Sequence, residues 1–326
     1  MRRREFIMVL GSAAAAWPRT AAAQTSKVFH LGSLTVGPTM VPTAGVGTIL
    51  IKGMAKRGYV LGKNLDFVAR GDAGKSARLP ELMQELRAAK ADVVVTVGYP
   101  SAVAAKASGV ATVIASGSGD PVATGLVESL ARPGGNVTGI ADDAAMLSTK
   151  RLSLLKAAVP QIRRVAMLWN KDDLGMSLRY QASAKAAQGI GVDVQALGVR
   201  EPDDFNEAFA AMDREEPDAI LMVSDSLTLL NRKRVIDYAA AHQLPAIYEQ
   251  GFIVHDGGLM SYGADPRESF DRAAALADRI FKGAKPAELP VEEPTRYQFV
   301  INLKTAKAMH IELPANLIAL ADEVIE

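Results

Sequence analysis

The sequence predicts an α/β protein built of parallel β-sheets that are covered by helices on both faces. Short runs rich in β-branched residues alternate along the chain with stretches whose apolar residues recur at helical spacing, the pattern of repeated βα units. The strand-like runs are apolar on both faces, as strands buried between two layers of helices must be. Since 326 residues exceed what one hydrophobic core usually supports, we expect two such domains.

The first half of the chain contains four predicted strands and one clear amphipathic helix. The strand-like runs occupy residues 28–34, 66–68, 92–97 and 111–115. Between the second and the third of them, four apolar residues fall at positions i, i+3, i+4 and i+7: Leu79, Leu82, Met83 and Leu86. This half therefore predicts one sheet with helices between its strands.

The same rhythm returns in the second half. Strand-like runs occupy residues 164–169, 192–197, 219–223 and 258–262. In the last third, one helical face is formed by Phe270, Ala273, Ala277 and Ile280. We therefore expect a second sheet of the same kind.

The boundary between the two domains is predicted near residues 131–140. Pro133, Gly134 and Gly135 cannot continue a helix and predict a turn. Residues 136–140 are then a short strand that crosses to the second domain, where the βα pattern restarts with a helix near residues 146–159.

The N-terminal segment has the features of a secretory signal. Arg3 and Arg4 precede an uncharged run at residues 7–18, and the three alanines at 21–23 form a small-residue cleavage site before Gln24. The paired arginines are typical of the Tat pathway. The alternative is a buried N-terminal helix, but alanine-rich sequence behind three arginines would make a poor core element. We therefore expect residues 1–23 to be a Tat-type signal peptide, removed near Ala23–Gln24.

Removal of this segment changes what the composition implies. It takes away four arginines and one glutamate, so the net charge falls from +1 to −2 and leaves no basic excess for binding nucleic acid. The chain has no cysteine, which excludes disulfides, thiolate metal sites and a lipid-modified N-terminal cysteine. An exported protein without a membrane anchor is retained where an outer membrane confines it, so we expect a periplasmic location.

The motifs of common catalytic and cofactor sites are missing. Residues 31–35, after the first strand, lack the glycine spacing of a dinucleotide-binding turn, and no P-loop motif occurs. Residues 116–119 resemble a nucleophile elbow only superficially. The four histidines are not at metal-ligand spacing. We therefore expect no catalytic residues, no metal and no cofactor.

Polar and aromatic residues follow the predicted strands at their carboxyl ends, where open α/β sheets bind ligands. The candidate ligand-binding residues are Leu34, Tyr99, Ser101, Ser116, Gly117, Trp169, Asn170, Ser224, Asp225 and Tyr248. The alternative is that residues such as Ser101 and Asp225 only cap helices and turns, and that the aromatic side chains pack in the core. The residues from the first half of the chain would face those from the second half across a domain boundary. We therefore favour a binding cleft for a small molecule.

Several segments of the chain form a recognisable set. The most specific is residues 119–139, which run from Gly-Asp-Pro-Val to Asn-Val-Thr-Gly. Others are residues 244–248, 257–263, 282–286, 289–291, 302–307 and 321–326. In these segments the sequence resembles a family of ABC-importer substrate-binding proteins that have the type I periplasmic-binding-protein fold and include binders of tryptophan and related amino acids, and the resemblance covers essentially the whole chain. One departure is His310, which stands where the family usually has glycine and which predicts a left-handed backbone there.

The resemblance implies two doubly wound parallel-sheet lobes joined by a three-segment hinge. The first lobe would comprise residues 27–140 and 257–290, and the second residues 141–250 and 291–326, with crossings near 138–141, 250–256 and 290–297. It further implies a monomeric receptor, not an enzyme, that binds its ligand in the cleft and delivers it to an ABC permease with its cytoplasmic ATPase.

The candidate residues favour a zwitterionic ligand, such as an amino acid, or a related carboxylate. The start of the predicted helix near residues 99–102 would receive a carboxylate, Asp225 would pair with a cation, and Tyr99, Trp169 and Tyr248 would form aromatic walls. Two alternatives remain open: an extracytoplasmic sensor that feeds a signalling receptor, and an exported hydrolase or isomerase. The latter would need a nucleophile with a base in reach, and the sequence offers neither.

Overall fold

The computed structural model describes residues 27–141 and 143–326. The predicted signal peptide and its cleavage site lie outside the described residues. The strands are β1 Phe29–Thr35, β2 Leu65–Gly71, β3 Val93–Val97, β4 Thr112–Ser116, β5 Val137–Gly139, β6 Arg164–Asn170, β7 Asp193–Val199, β8 Ala219–Met222, β9 Ala246–Tyr248, β10 Met260–Ala264, β11 Tyr297–Asn302 and β12 Glu323–Ile325.

Helices separate most of these strands. They are α1 Gly45–Lys56, α2 Leu79–Ala88, α3 Tyr99–Ser108, α4 Ala144–Ala158, α5 Leu174–Gly189, α6 Asp204–Glu215, α7 Ser226–Leu230, α8 Arg232–Ala241, α9 Gly251–His255, α10 Pro266–Phe281, α11 Leu303–Ala308 and α12 Ala315–Ile318. Short 3₁₀ turns occupy Ser76–Arg78 and Pro286–Glu288. Within the described ranges, no helix is long and apolar enough to cross a membrane.

The first lobe is a five-stranded parallel sheet in the order β2-β1-β3-β4-β5. Helices α1 and α10 cover one face, where Leu50, Met54 and Phe270 are buried, and α2 and α3 cover the other. All four residues of the predicted amphipathic face of α2 are buried. The apolar spacing in the sequence thus placed this helix correctly, because the sheet beneath it removes that face from water.

The second lobe is a seven-stranded sheet in the order β12-β11-β10-β9-β8-β6-β7. Its pairs are parallel except β10 with β11, which run antiparallel. Helices α4, α5, α11 and α12 pack on one face, and α6, α8 and α9 on the other. The predicted fold class, α/β with two doubly wound and mainly parallel sheets, is therefore confirmed.

The chain passes between the two sheets three times, and one passage differs from the expected division. Strand β10 pairs with β9 and β11 in the second sheet, although we expected residues 257–290 in the first lobe. The following helix, α10, and the segment after it, which includes Leu289, pack on the first sheet. The passage therefore falls at Asp265, which caps α10, and not at residues 250–256. The sequence pattern identified the strand but carried no information about which sheet it joins.

His310 adopts the left-handed backbone that the sequence predicts. Its φ angle is +54°, and it follows the end of α11. A side chain at this position raises the energy of the left-handed conformation relative to glycine, and the surrounding structure offsets that cost.

Candidate functional site

A cavity of about 210 Å³ lies between the two lobes and is lined by residues of both. The carboxyl end of β4 contributes Ser116 and Gly117 from the first lobe, and the segments after β8 and β9 contribute Ser224 and Glu249 from the second. Because the strands of each sheet are mainly parallel, their carboxyl ends meet at this boundary. A water molecule takes about 30 Å³ in the liquid, so the cavity corresponds to roughly seven waters and suits a small ligand.

A larger depression of about 710 Å³ lies elsewhere on the second lobe. It is an open surface beside the edge strand β7 and helix α6, and charged side chains such as Arg200 and Asp204 line it. No residue of the first lobe contributes to it. We therefore place the candidate ligand site in the interlobe cavity, which both lobes enclose.

Most of the cavity wall is apolar. The first lobe contributes Val46, at the start of α1, and the second contributes Leu229 and Phe252. Near the passages between the lobes, Ile140 and Leu147 complete this apolar surface. The combination of apolar walls with a few polar groups is typical of small-molecule sites.

A buried ion cluster forms one polar side of the cavity. The Glu249 carboxylate accepts a hydrogen bond of 2.8 Å from Arg151 Nη1 and one of 2.5 Å from Arg179 Nη1. All three side chains are less than one-tenth exposed. Arg151 Nε also donates to the carbonyl oxygen of Tyr262, at 2.7 Å. The cluster thus connects α4, α5, β9 and β10 at the point where they border the cavity.

Sequence reasoning missed both arginines of this cluster. A signal was present, because Arg179 shares the buried face of α5 with Met176, Ser183 and Ala187 at helical spacing. An arginine on a buried helical face requires an anionic partner, since an unpaired buried charge is very unfavourable. The spacing alone did not identify Glu249 as that partner.

Of the ten predicted site residues, the structure brings Ser116, Gly117 and Ser224 together on the cavity wall. The Ser224 side chain is 6% exposed, and its hydroxyl has no hydrogen-bond partner within the described part of the chain. A buried hydroxyl without a partner is costly and calls for an explanation. A polar group of a ligand would supply one, so the role of these three residues in binding stays a prediction.

Four other predicted residues lie away from the cavity wall. Leu34 is fully buried beneath α2, and Tyr248 is fully buried in the core of the second lobe. Trp169 stacks on Tyr180 with ring centroids 3.7 Å apart. The Ser101 hydroxyl donates to backbone carbonyl oxygens at the start of α3, at 2.7 and 2.8 Å. These placements correspond to the core-packing and capping alternatives, not to the aromatic walls and carboxylate contact that we expected.

Asn170 and Asp225 bind each other instead of facing the cavity. Asn170 Nδ2 donates to Asp225 Oδ2 at 2.6 Å. The other carboxylate oxygen of Asp225 caps α7 by accepting from the Thr228 backbone N–H at 2.9 Å, and the Thr228 hydroxyl completes a capping box. The carboxylate that we expected to pair with a ligand cation is therefore engaged in local structure.

Tyr99 lies where the two lobes touch. Helix α5 of the second lobe begins against this residue, and a Cβ atom built on Gly175 would be 3.2 Å from Tyr99 Cβ and 3.1 Å from the carbonyl oxygen of Ser118. A Cβ on Gly119 would be 3.1 Å from Gly175 Cα. We call these four residues the interlobe seam. A side chain larger than glycine at Gly119 or Gly175 would therefore crowd the opposite lobe at this seam.

Two further pairs of residues touch across the lobes. A Cβ on Gly37 would lie 3.1 Å from Ser226 Oγ, and one on Gly74 would lie 3.0 Å from Leu230 Cδ1. Both pairs join loops of the first lobe to α7 of the second. The structure therefore has the two lobes closed on each other around the cavity.

The carboxyl group of Asp173 lies at this seam and is unusually hard to ionise. Burial raises its pKa from the ordinary 3.8 to about 6, and the negative charge of Asp225 adds to the increase. The N–H of Met176, which donates to this carboxylate at 3.1 Å, acts in the opposite direction. Burial and the charge of Asp173 also raise the pKa of Tyr99, which lies in the other lobe.

We expect Asp173→Asn to stabilise the protein at neutral pH and to leave its stability nearly unchanged near pH 4. A carboxyl whose pKa is higher in the folded state holds its proton more tightly there, so its contribution to stability falls as the pH rises from about 4 to above 6. Asparagine keeps the cap of α5 without a charge. The gain above pH 7 should not exceed about 3 kcal/mol, since one pKa unit corresponds to about 1.4 kcal/mol.

Denaturant unfolding across pH 4–8 measures this difference. The matched control is Asp143→Asn, because Asp143 caps α4 through the same kind of bond, to Met146 N–H, but is only half-buried. The gain in stability at neutral pH should be specific to Asp173, because Asp143 does not lie at the buried seam. A pH-independent effect of Asp173→Asn would contradict the prediction.

Two solved structures of other proteins have a fold similar to that of this chain. A solved structure of a conserved domain protein from Vibrio cholerae O1 biovar El Tor has a TM-score of 0.85 at 23% identity and covers 91% of this chain and 100% of its own. An ABC domain from Streptococcus pneumoniae, solved in complex with L-Trp, has a TM-score of 0.79 at 24% identity and covers 90% and 100%. At these identities the likeness shows a shared fold.

A curated relative and a family model match the sequence itself. The relative is a tyrosine-binding protein of Clostridioides difficile (strain R20291), 24% identical over 263 residues, or 80% of this chain and 75% of the relative. The family model, described as ABC transporter substrate binding protein, matches residues 44–325. Since that match spans both lobes and the cavity between them, the chain belongs to the family of ABC transporter substrate-binding proteins.

Proposed function

We propose that this protein is the periplasmic receptor of an ABC importer and that it carries a small amino acid or related carboxylate in the interlobe cavity. It delivers this ligand to a membrane permease driven by a cytoplasmic ATPase. It is exported through the Tat signal, cleaved near Ala23–Gln24, and acts as an unanchored monomer. The observation that carries the proposal is the small cavity enclosed by both lobes, in a chain of the substrate-binding family.

The lining of the cavity supports a ligand with one polar end and an apolar body. The hydroxyl groups of Ser116 and Ser224 approach from opposite lobes and can donate to a carboxylate. Val46, Leu229 and Phe252 offer apolar surface to the rest of the ligand. The relatives whose descriptions name tyrosine and L-Trp are consistent with such a ligand. We assign no ammonium contact to Asp225, because it caps α7.

A ligand that touches both lobes would stabilise the closed arrangement. Without a ligand, water would hydrate the polar groups of the cavity better in an open form of the protein. Ligand binding would then shift a hinge equilibrium toward the closed state, as its contacts to both lobes favour that state alone. The permease would recognise the closed protein.

A thermal-shift screen of the mature protein tests the ligand class. We expect amino acids with apolar or aromatic side chains, or related carboxylates, to raise the melting temperature, because a ligand at 100 times its Kd stabilises the native state by about 2.7 kcal/mol. Nucleosides and sugars serve as controls. If only neutral sugars raised the melting temperature, the proposed ligand class would be wrong.

We expect Ser224→Ala to weaken binding of that ligand by about tenfold or more without lowering the stability of the ligand-free protein. A hydrogen bond to a charged group contributes about 1.5–3 kcal/mol, whereas a buried hydroxyl without a partner contributes no stability. Ser261→Ala is the matched control, since the Ser261 hydroxyl in β10 is also buried without a partner among the described residues but does not line the cavity. Calorimetry showing equal affinities for both variants would refute the role of Ser224.

We also expect substitution of Gly175 to hinder closure. A methyl group there would press on Ser118 and Tyr99 of the opposite lobe, so Gly175→Ala should lower ligand affinity and Gly175→Val should lower it further. The ligand-free melting temperature should not fall with alanine, because alanine is better than glycine in a helix by about 0.5–1 kcal/mol.

The matched control for closure is Gly189→Ala, at the other end of the same helix, where a Cβ atom would meet nothing within 4 Å. It should leave affinity unchanged. X-ray scattering should show a smaller decrease in radius of gyration on ligand addition for Gly175→Val than for the wild type. If Gly175→Val bound the ligand with wild-type affinity and showed the wild-type decrease in radius of gyration, contacts at the seam would not limit closure of the lobes.

A further inference from the structure

The side chain of Asp173 lies between the two lobes of the closed protein. It caps the start of α5 in the second lobe and is only 4% exposed. A Cβ atom built on Gly175 would lie 3.2 Å from Asp173 Oδ1. The same point is 3.2 Å from Tyr99 Cβ and 3.1 Å from the carbonyl oxygen of Ser118. The carboxyl group therefore shares a small space with two residues of the first lobe.

The first lobe brings nothing that compensates a negative charge at this point. Ser118 presents a carbonyl oxygen, which accepts hydrogen bonds and cannot donate one to a carboxylate. Tyr99 stays neutral, because burial and the charge of Asp173 raise its pKa. Within the described part of the chain, no ion pair or hydrogen bond joins Asp173 to the first lobe. Closure therefore removes water from an ionised carboxylate without replacing it, which costs free energy.

The charged groups of the second lobe act on Asp173 in opposite directions. The negative charge of Asp225 disfavours its ionisation, and the positive charge of Arg179 favours it. The Met176 N–H also favours the ionised form, by donating to it at 3.1 Å. All these groups move with α5 and its sheet. Contact with the first lobe is therefore the part of the environment of Asp173 that changes when the lobes separate.

A negative charge is not needed for the structural role of Asp173. The cap of α5 requires only a side-chain oxygen that accepts an N–H bond, and asparagine or serine supplies one. A carboxyl group differs from these caps in that it can gain or lose a proton. The neutral form suits the closed seam, and the ionised form suits a seam that is open to water.

We propose that Asp173 couples closure of the lobes to proton uptake, so that the closed protein holds a proton on this carboxyl group and the open protein releases it. Opening moves Tyr99 and Ser118 away and lets water reach the carboxylate. Acid then favours the closed form, and neutral or alkaline solution favours the open form. This inference rests on the closure included in the proposed function and adds a regulation of it by pH.

The pH range follows from the pKa of Asp173 in the two forms. Burial raises this pKa to about 6 in the closed form, whereas access of water moves it toward the ordinary 3.8 in the open form. The contribution of the proton to closure is fully present below about pH 4 and is lost as the pH rises through about 6. We therefore expect the ratio of closed to open protein to be about tenfold larger at pH 5 than at pH 7.5.

Energy transfer between fluorophores on the two lobes measures closure without any ligand. The sequence has no cysteine, so Lys63→Cys and Gln161→Cys create two labelling sites in the full chain. Both residues are exposed and precede β2 and β6, at the ends of the sheets that face away from the cavity. With dyes that do not respond to pH, the transfer efficiency should change between pH 7.5 and pH 5 as the lobes close.

Uncharged caps should remove this response. Asp173→Asn should show at every pH the transfer efficiency that the wild type reaches at pH 5, because its side chain carries no charge at any pH. Asp173→Ser, a second uncharged cap, should behave in the same way. If Asp173 only capped α5, the wild type and both variants would respond equally to pH.

Two further variants test where the pH response arises. Lys171 and Asp172, which precede Asp173, are exposed, and Asp172 pairs with Arg200 at the surface. Asp172→Asn is therefore the matched control and should keep the wild-type response. Tyr99→Ala removes first-lobe cover from Asp173 without changing the carboxyl group, so it should shift the midpoint of the response to lower pH.

The outcomes separate this inference from the receptor function. A wild-type protein whose energy transfer is the same at pH 5 and pH 7.5, or an Asp173→Asn variant that keeps the wild-type response, would overturn the proton coupling. The receptor would remain established if compounds in the thermal-shift screen still raised the melting temperature. A protein with no pH response and no stabilising compound in that screen would overturn both.

Discussion

The carboxylate of Glu249 holds the second lobe in the shape that the cavity requires. It accepts hydrogen bonds from Arg151 on α4 and Arg179 on α5, and it follows β9 directly. Because all three side chains are buried, loss of the Glu249 carboxylate would deprive both arginines of their shared anionic partner, at a cost of about 3–5 kcal/mol. The cluster therefore determines where both helices lie relative to the carboxyl ends of the strands.

The start of α5 connects the buried ion cluster of the second lobe to the first lobe. Arg179 lies about one turn after Gly175, which contacts the first lobe, and Asp173 caps the same helix at the seam. A helix held by a buried ion pair cannot move independently of its sheet, so closure must bring the whole second lobe against Tyr99 and Ser118. The seam and the cavity consequently form together, and a ligand in the cavity acts on both.

The sequence predicted the fold well where periodicity carried the information. The buried face of α2 and eight of the twelve described strands, β1 to β4, β6 to β8 and β10, followed from runs of apolar residues, since burial is what creates those runs. The sheet to which β10 belongs could not be predicted in this way, because Met260 pairs with Ile247 through the backbone, which leaves no mark on side-chain pattern. Pairing depends on the three-dimensional path of the chain.

The sequence predicted the candidate site less completely, because the place of a residue along a strand does not define the direction of its side chain. The rule that ligands bind at the carboxyl ends of parallel strands selected Ser116, Gly117 and Ser224, which line the cavity and whose role in binding stays a prediction. The same rule selected Tyr248, which comes at the end of β9 but points into the core, because a strand-end position does not define the face of the sheet. Phe252, which also lines the cavity, was missed because exposure at a cavity wall leaves no local pattern in the sequence.

Buried polar groups without hydrogen-bond partners and exposed apolar side chains indicate a binding site only where they line an enclosed cavity. The hydroxyl of Tyr248 and the indole nitrogen of Trp169 are buried without hydrogen-bond partners among the described residues, as the hydroxyl of Ser224 is. The first two lie in the core, where no ligand can reach them, so they are costs of packing large aromatic residues. Ser224 and Phe252 both border the cavity, one with an unsatisfied donor and the other with uncovered apolar surface. One ligand with a polar end and an apolar body would remove both costs at once, so we expect Ser224 and Phe252 together to indicate the site more reliably than either residue does alone.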